Sequence, residues 1–420
     1  MKYEDVESNL VDISEYGRVS GRKVKDHKDL DPKDGISRPT GSEGDKLLRD
    51  YVVNLMNEAG LEVKVDKVGN IFGRLEGETD NTIMTGSHID SVINGGNFDG
   101  ALGVISAINA VKSLKEEGFK NYKSLEIVVF TGEEGSAFHF GLLGSSVLVD
   151  KLSVEEAYKL KNDVGQSFEQ SLANMGYKGT FTKKLDNVEH FIELHVEQGP
   201  IMRENDFEIG VVDNITGLSW IMANIYGQEM HAGTTPMKKR RDPTLAVGEI
   251  VNSINKRATE LAESNKRNTV ATVGKILAYP GLPNVIPDHV EIGLDMRDVN
   301  FDTMNEIYNY ATDVIKNTAE RLNLGYKFVS TFKHGPTSLD LATRDVIKSV
   351  SIKSGFKTAN INSSAGHDSQ NMALKTRTGM IFIPSMDGIS HAPMEWSSYE
   401  DCKRGTKVLA LALKELSKKI

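Results

Sequence analysis

Residues 82–104 read TIMTGSHIDSVINGGNFDGALGV. The opening run, 82–85, is short and apolar and leads at once into polar, Gly-rich chain, as a strand buried on both faces of a sheet does. Two further stretches repeat the pattern: 125–130, LEIVVF, followed by TGEEGS, and 191–196, FIELHV, followed by EQGP. All three ends carry His, Asp or Glu. The first supplies His88 with Asp90 and Asp99 beyond it, the second Glu133 and Glu134, the third His195. Ligands of open α/β sheets bind beyond the carboxyl ends of the strands, so the three ends point to one site. His391, in the turn IPSMDGISHAP, has a neighbourhood of the same kind. Imidazole and carboxylate without thiolate suit zinc, manganese or cobalt at a catalytic centre. The adjacent carboxylates Glu133 and Glu134 repel unless a cation or a surface position relieves them; on a solvated loop the pair would mean nothing, but after a buried strand in a Gly-rich turn the cation gains weight.

Outward from these strands, β-rich runs alternate with amphipathic stretches, the signature of an α/β protein. The spacing predicts a helix over 47–59 with Leu47, Tyr51, Leu55 and Met56 on one stripe, ended by Gly60. From about 214 to 333 the texture changes. A strand at 218–227 leads to a helix at 244–261 that buries Leu245, Val251 and Ile254; a strand pair at 269–277 and 290–296 and a helix at 302–322 follow. That order reads as a separate α+β unit inserted into a larger domain. The expected organisation is therefore 1–213 and 334–420 as one α/β domain, a three-layer structure with a mixed sheet, interrupted by 214–333.

Composition narrows the function. The chain has 420 residues, 39% of them hydrophobic, enough for a sizeable core and against wholesale disorder. A net charge of −9 without a basic block argues against nucleic acid as a partner. The single cysteine, Cys402, excludes an internal disulfide and suits a reducing, cytoplasmic setting. The opening decapeptide, MKYEDVESNL, lacks the basic and apolar regions of a signal peptide. No apolar run reaches the roughly 18 residues that a spanning helix needs, so no membrane partner is expected.

The blocks GSHIDSVINGGNFDGALGV, ELHVEQGPIM, HAGTTPMKKRRDP, NVIP and GISHAPMEW resemble those of the N-carbamoyl-amino-acid amidohydrolase and allantoate amidohydrolase family, with β-ureidopropionase of the same type. That family lies in the dinuclear metallopeptidase superfamily that also holds carboxypeptidase G and aminoacylase. The likeness runs from about residue 35 to 398 with the motifs in family order. It implies two divalent metal ions per subunit (Zn, Mn or Co) bridged by Asp99, one taking His88 and His195, the other Glu134 and His391. Asp90 would accept a hydrogen bond from the free nitrogen of His88, and Glu133 would stay uncoordinated as general base on the attacking water. An imidazole at His195, where the peptidase relatives carry Asp or Glu, and the short His88–Asp99 spacing both resemble the carbamoylases.

The same resemblance implies the substrate side. His231 would stabilise the tetrahedral oxyanion, and Asn284 and Arg297 would hold a substrate carboxylate, Arg by bidentate bonding. Gln198 would touch the ureido or amide end, and Ser364, Gly366 and His367 would line the pocket. The inserted domain would act as lid and carry a homodimer interface. One departure stands out: Ala137 occupies the position where the family commonly has arginine. The expected activity is hydrolysis of a linear amide or ureido C–N bond in a small carboxylated substrate, such as an N-carbamoyl-L-amino acid or allantoate. An aminoacylase or dipeptidase on the same scaffold is the alternative, and a non-catalytic binding protein a more distant one.

Overall fold

The computed structural model describes residues 3–265 and 269–419. The first two residues of the opening decapeptide, three of the inserted segment and the last residue thus lie outside the described residues. The chain forms two compact units. The first runs to Asp213 and resumes over Leu339–Ile361 and from His367 on; the second comprises Asn214–Ser338 and Asn362–Gly366.

The sheet of the first unit has the order Glu62–Val65, Ile71–Leu75, Lys123–Phe130, Thr79–His88, Val188–Val196, Arg377–Ile383, Ile209–Ile215. Thr79–His88 is parallel to both Lys123–Phe130 and Val188–Val196, and Arg377–Ile383 is parallel to the latter. The outer pairs are antiparallel, which makes the sheet mixed. Alternate residues feed two apolar layers. Ile83, Ile127, Val129, Ile192 and Leu194 enter the larger cluster, while Met84, Val128, Phe130 and Phe191 enter a separate one. Both faces are therefore dry, as the continuous apolar runs require. Because the four central strands run the same way, His88 pairs in register with Phe130, and Phe382 with His195, at the carboxyl ends of the strands.

The helix expected at 47–59 spans Glu43–Glu58, capped by Ser42, whose side chain accepts from the Asp45 N–H. Its buried stripe is Leu48, Val52 and Met56, whereas Leu47 is exposed. The stripe is rotated by one residue from the expected one. Gly60 closes the helix with φ 69°, a conformation that costs glycine little.

The second unit is a four-stranded antiparallel sheet in the order Gly325–His334, Gly217–Tyr226, His289–Asp298, Val270–Tyr279, with helices Pro243–Asn265 and Phe301–Arg321. Three of those strands stand where the sequence places them; Gly325–His334 was not anticipated. In Pro243–Asn265 the buried face is Ala246, Val247, Ile250, Ile254, Ala258 and Leu261, while Leu245 points out and is exposed. Ala246 takes the inner position that Leu245 was expected to fill, while Ile254 is buried as expected. The unit ends at Ser338 rather than 333 and includes residues 362–366. Those five join it because Ser363 O accepts the Thr216 N–H and Ser364 O accepts from Arg297. Among the described residues no helix is long and apolar enough to cross a membrane.

Candidate metal centre

The carboxyl ends of the central strands bring His88, Asp99, Glu133, Glu134 and His195 together, and the turn carrying His391 joins them. His88 Nε2 lies 3.7 Å and His195 Nε2 3.1 Å from Asp99 Oδ1. His391 Nε2 lies 3.1 Å from the other oxygen, Oδ2, and 3.5 Å from Glu134 Oε2. Asp99 therefore belongs to two groups of possible metal ligands, one with His88 and His195, one with Glu134 and His391. Glu133 is in neither; its Oε2 stands 3.6 Å from His88 Nε2.

The tautomers are set locally. His88 Nδ1 is 3.1 Å from the carbonyl of Asp90, and His195 Nδ1 is 2.9 Å from the carbonyl of Val196. A nitrogen facing a carbonyl must carry the proton, so in the neutral imidazoles, the form that binds a cation, both Nε2 lone pairs turn toward Asp99. Two lone pairs directed at a carboxylate repel unless a cation or a proton lies between them. Ligand atoms on a tetrahedral zinc stand about 3.4 Å apart if each bond is about 2.05 Å, and the observed separations bracket that value. Glu134 Oε1 is buried and has no hydrogen-bond partner among the described residues. The donor set fits divalent cations of the zinc, manganese or cobalt type.

The electrostatics agree. Burial raises the Glu133 carboxyl well above its ordinary range, helped by the neighbouring Glu134 and Asp368. Burial and Asp99 push Glu134 up to about 9. Burial alone would raise Asp99, yet hydrogen bonds to His195 and His391 hold it well below the usual range. Burial also opposes charge on His195, but Asp99 overrides it and takes the imidazole to about 9. His391 is raised to about 9, chiefly by its bond to Asp99. His88 goes the other way, lowered by burial to about 4. Crowded carboxylates that keep their protons are what an anionic cage does without its cations.

Three further candidates have defined local partners. The Asp90 carboxylate does not cap His88; its carbonyl does, while the carboxylate accepts the N–H groups of Glu133 and Glu134 and the hydroxyl of Thr40. Asp90 thus holds the turn that carries both glutamates. Gln198, with φ 60°, turns its Nε2 onto Asp99 Oδ2 at 2.8 Å. In this state it is a partner of Asp99. His367 is fully buried, edge-on to His195 with ring centroids 4.5 Å apart. The sequence reading also passed over Glu395. Its Oε1 accepts the N–H groups of Phe98 and Asp99, and its Oε2 accepts the Ser390 hydroxyl, which ties the Asp99 loop to the His391 turn. Only its place in HAPMEW hinted at it. Gly100 is equally constrained: a Cβ there would stand 2.3 Å from the His88 ring.

The remaining candidates lie in the second unit. His231 is exposed, and its Nδ1 accepts N–H bonds from Gly233 and Thr234, which leaves the proton on Nε2. Asn284 is also exposed; its carbonyl accepts the Ala232 N–H, and Val285 pairs with His231. Arg297 is half-buried on the strand His289–Asp298. Ser364 and Gly366 are exposed in the segment 362–366. Ala137 packs against the core of the first unit, and His139 nearby makes an exposed pair with Asp163.

Residues 84–415 match the peptidase family M20/M25/M40. The chain belongs to that family. Among its M20 relatives is an N-carbamoyl-L-amino-acid amidohydrolase of Pseudomonas sp. (strain NS671), 36% identical over 406 residues and spanning 95% of each chain. A ureidoglycolate hydrolase of Arabidopsis thaliana is 36% identical, covering 92% of this chain and 83% of its own. The fold is similar to the crystal structure of an amidase of the hydantoinase/carbamoylase family from Burkholderia multivorans, with a TM-score of 0.89 at 30% identity, covering 100% of this chain and 98% of that one. The M20 chain is a hydrolase of non-peptide amide or ureido C–N bonds, and divalent-metal use goes with its family. The relatives favour this reading over an aminoacylase or dipeptidase.

Proposed function

We propose that this M20 chain hydrolyses the linear C–N bond of a ureido group, or a similar amide, in a small substrate that also carries a carboxylate. N-carbamoyl-L-amino acids, allantoate and ureidoglycolate share that chemistry. One observation carries the reading: Asp99 sits in both ligand groups, so one carboxylate can serve two cations. In the proposal His88 and His195 complete one position, and Glu134 and His391 the other. Two divalent ions there would lower the pKa of water and polarise the substrate carbonyl, which is a poor electrophile because both ureido nitrogens donate into it.

The chain's own groups do the rest. Glu133, near but outside the ligand sets, removes the proton of the attacking water and returns it to the departing nitrogen. Its raised pKa suits a group that must hold a proton between those steps. We assign the oxyanion to His231, whose Nε2–H is a free donor of fixed tautomer. The carboxylate falls to Asn284 and Arg297, and the ureido end to Gln198 once it leaves Asp99. Ser364, Gly366 and His367 stay in the proposal as pocket residues, and Asp90 as the support of the glutamate turn.

A homodimer through the second unit belongs to the same proposal. Val270–Tyr279 is an edge strand with Val270, Ile276, Leu277 and Tyr279 exposed, a surface that favours pairing with another copy. A monomer in sedimentation at micromolar concentration would remove it. Cytoplasmic residence, which suits a lone buried Cys402, is tested by cell fractionation. The activity itself is tested with chelator-stripped protein, resupplied with Mn, Zn or Co, on N-carbamoyl, N-formyl, N-acetyl, dipeptide and allantoate substrates. Turnover, followed as ammonia from the ureido substrates and as freed amino acid from the N-formyl, N-acetyl and dipeptide ones, should be restricted to the ureido substrates and depend on about two ions per chain; metal-independent turnover sinks the proposal.

A further inference from the structure

On the strand His289–Asp298, Asp295 and Arg297 are two residues apart and share the sheet face opposite the helices; Leu294, Met296 and Asp298 face inward and are buried. Trp220 lies directly across from Asp295 in the antiparallel register. Arg297 Nε donates to Asp295 Oδ1 at 2.9 Å and Nη2 to Asp295 Oδ2 at 3.1 Å, so the carboxylate grips the side edge of the guanidinium. Arg297 Nη1 donates to the carbonyl of Ser364 at 3.2 Å. Trp220 Nε1 donates to Asp295 Oδ2 at 2.7 Å and fixes the carboxylate from across the strands.

A guanidinium has five N–H groups in a planar fork. Three are used, two on Asp295 and one on Ser364, and one hydrogen remains on each terminal nitrogen. Those two hydrogens can take an incoming carboxylate at the end of the fork, a bidentate geometry that the guanidinium offers once its side edge is occupied. We propose that Asp295, itself braced by Trp220, is a positioning residue that sets the plane of Arg297 and confines carboxylate recognition to that end. This inference rests on the reading that Arg297 binds the substrate carboxylate. Asp295 also neutralises Arg297, so the site holds its anion by directed hydrogen bonds more than by net charge. An unbraced arginine would be more mobile and would accept anions from many directions.

The test compares an N-carbamoyl-L-amino acid with its carboxamide as substrates of the metal-loaded enzyme. The preference is the ratio of their kcat/KM values for wild type, R297A, D295N, D295A and W220F. Loss of preference in R297A establishes the underlying reading. With that in hand, D295A is expected to cut the preference about tenfold, with the loss falling on KM rather than kcat. D295N, which keeps one acceptor oxygen, retains more of it, and W220F more still. If R297A loses the preference while D295A and D295N keep the wild-type ratio, the positioning role is wrong. If R297A itself keeps the ratio, the carboxylate assignment of Arg297 falls and the inference falls with it. Circular dichroism of each variant separates misfolding from either outcome, and the graded order D295N above D295A would not follow from mere loss of structure.

Discussion

In the first unit His88 and His195 are 1% exposed and Asp99 5%, and backbone groups or buried side chains hold each of them. In the second unit His231 and Asn284 are exposed, Arg297 is half-buried, and the bonds that hold them come from their own strand or from nearby turns. The difference separates two ways of preparing a site. Around Asp99 the surroundings leave no choice of rotamer, because burial makes each unsatisfied lone pair costly. On the open sheet face, precision must be built locally, by a neighbouring carboxylate or by two amide groups under an imidazole. The division is not complete: of the proposed ligands His88, Asp99 and His195 are buried, but Glu134 is half-buried and His391, on its turn, is exposed.

That contrast can be broken by mutation. Glu133→Gln removes the proton acceptor but no proposed ligand, so metal content should stay at the wild-type level while turnover falls by about 10²–10⁴. Metal analysis beside ammonia release decides it, and a variant that turns over normally takes Glu133 out of the mechanism. His231→Ala deletes an exposed donor, and kcat should drop by about 10²–10³ with metal content untouched. If its metal content drops as well, the division between the two kinds of site is wrong.

A smaller effect sharpens the same contrast through pH. In metal-free protein Glu134, His195 and His391 all titrate near 9, above their ordinary values of 4.5, 6.5 and 6.5. Between pH 6.5 and 9 the folded state therefore binds more protons than the unfolded chain, and stability falls as pH rises. His88, lowered to about 4, is neutral in the folded state throughout that window; the unfolded chain protonates it only near pH 6.5, so it offsets the trend only at the lower edge. Chelated protein should show a Tm that declines steadily from pH 6.5 to 9. Metal-loaded protein should not, because ligands must lose protons to bind and affinity rises with pH. Parallel slopes for the two forms would mean that the titrating groups are not the ligands.

How much of this was legible in the sequence follows from the same physics. The central strands are read easily because strands buried on both faces are continuous apolar runs, and their polar ends then name the ligand candidates. Gly325–His334 escaped because an outer strand, GYKFVSTFKH, mixes polar and apolar residues without a run. The helix stripes slipped by one residue because Leu47 and Leu48, or Leu245 and Ala246, are both apolar neighbours, and only packing chooses between them. Glu395, in HAPMEW, gave little signal for another reason: besides the Ser390 hydroxyl its partners are the backbone N–H groups of Phe98 and Asp99, and backbone amides carry no residue-type signal. Gln198 shows the limit for direction, since residue type cannot say whether an amide faces a ligand or a neighbouring carboxylate.

The chain has two tryptophans, and each stands beside one of the two preparations. Trp396 meets Phe98, the residue before Asp99, edge-on with ring centroids 5.1 Å apart, while Trp220 is bonded to the carboxylate that braces Arg297. One indole is sealed in apolar surroundings and the other is half in solvent. Their emission colours should therefore differ, and a single fluorescence titration, repeated with W220F, can follow cation loading and anion arrival as separate signals without any attached dye.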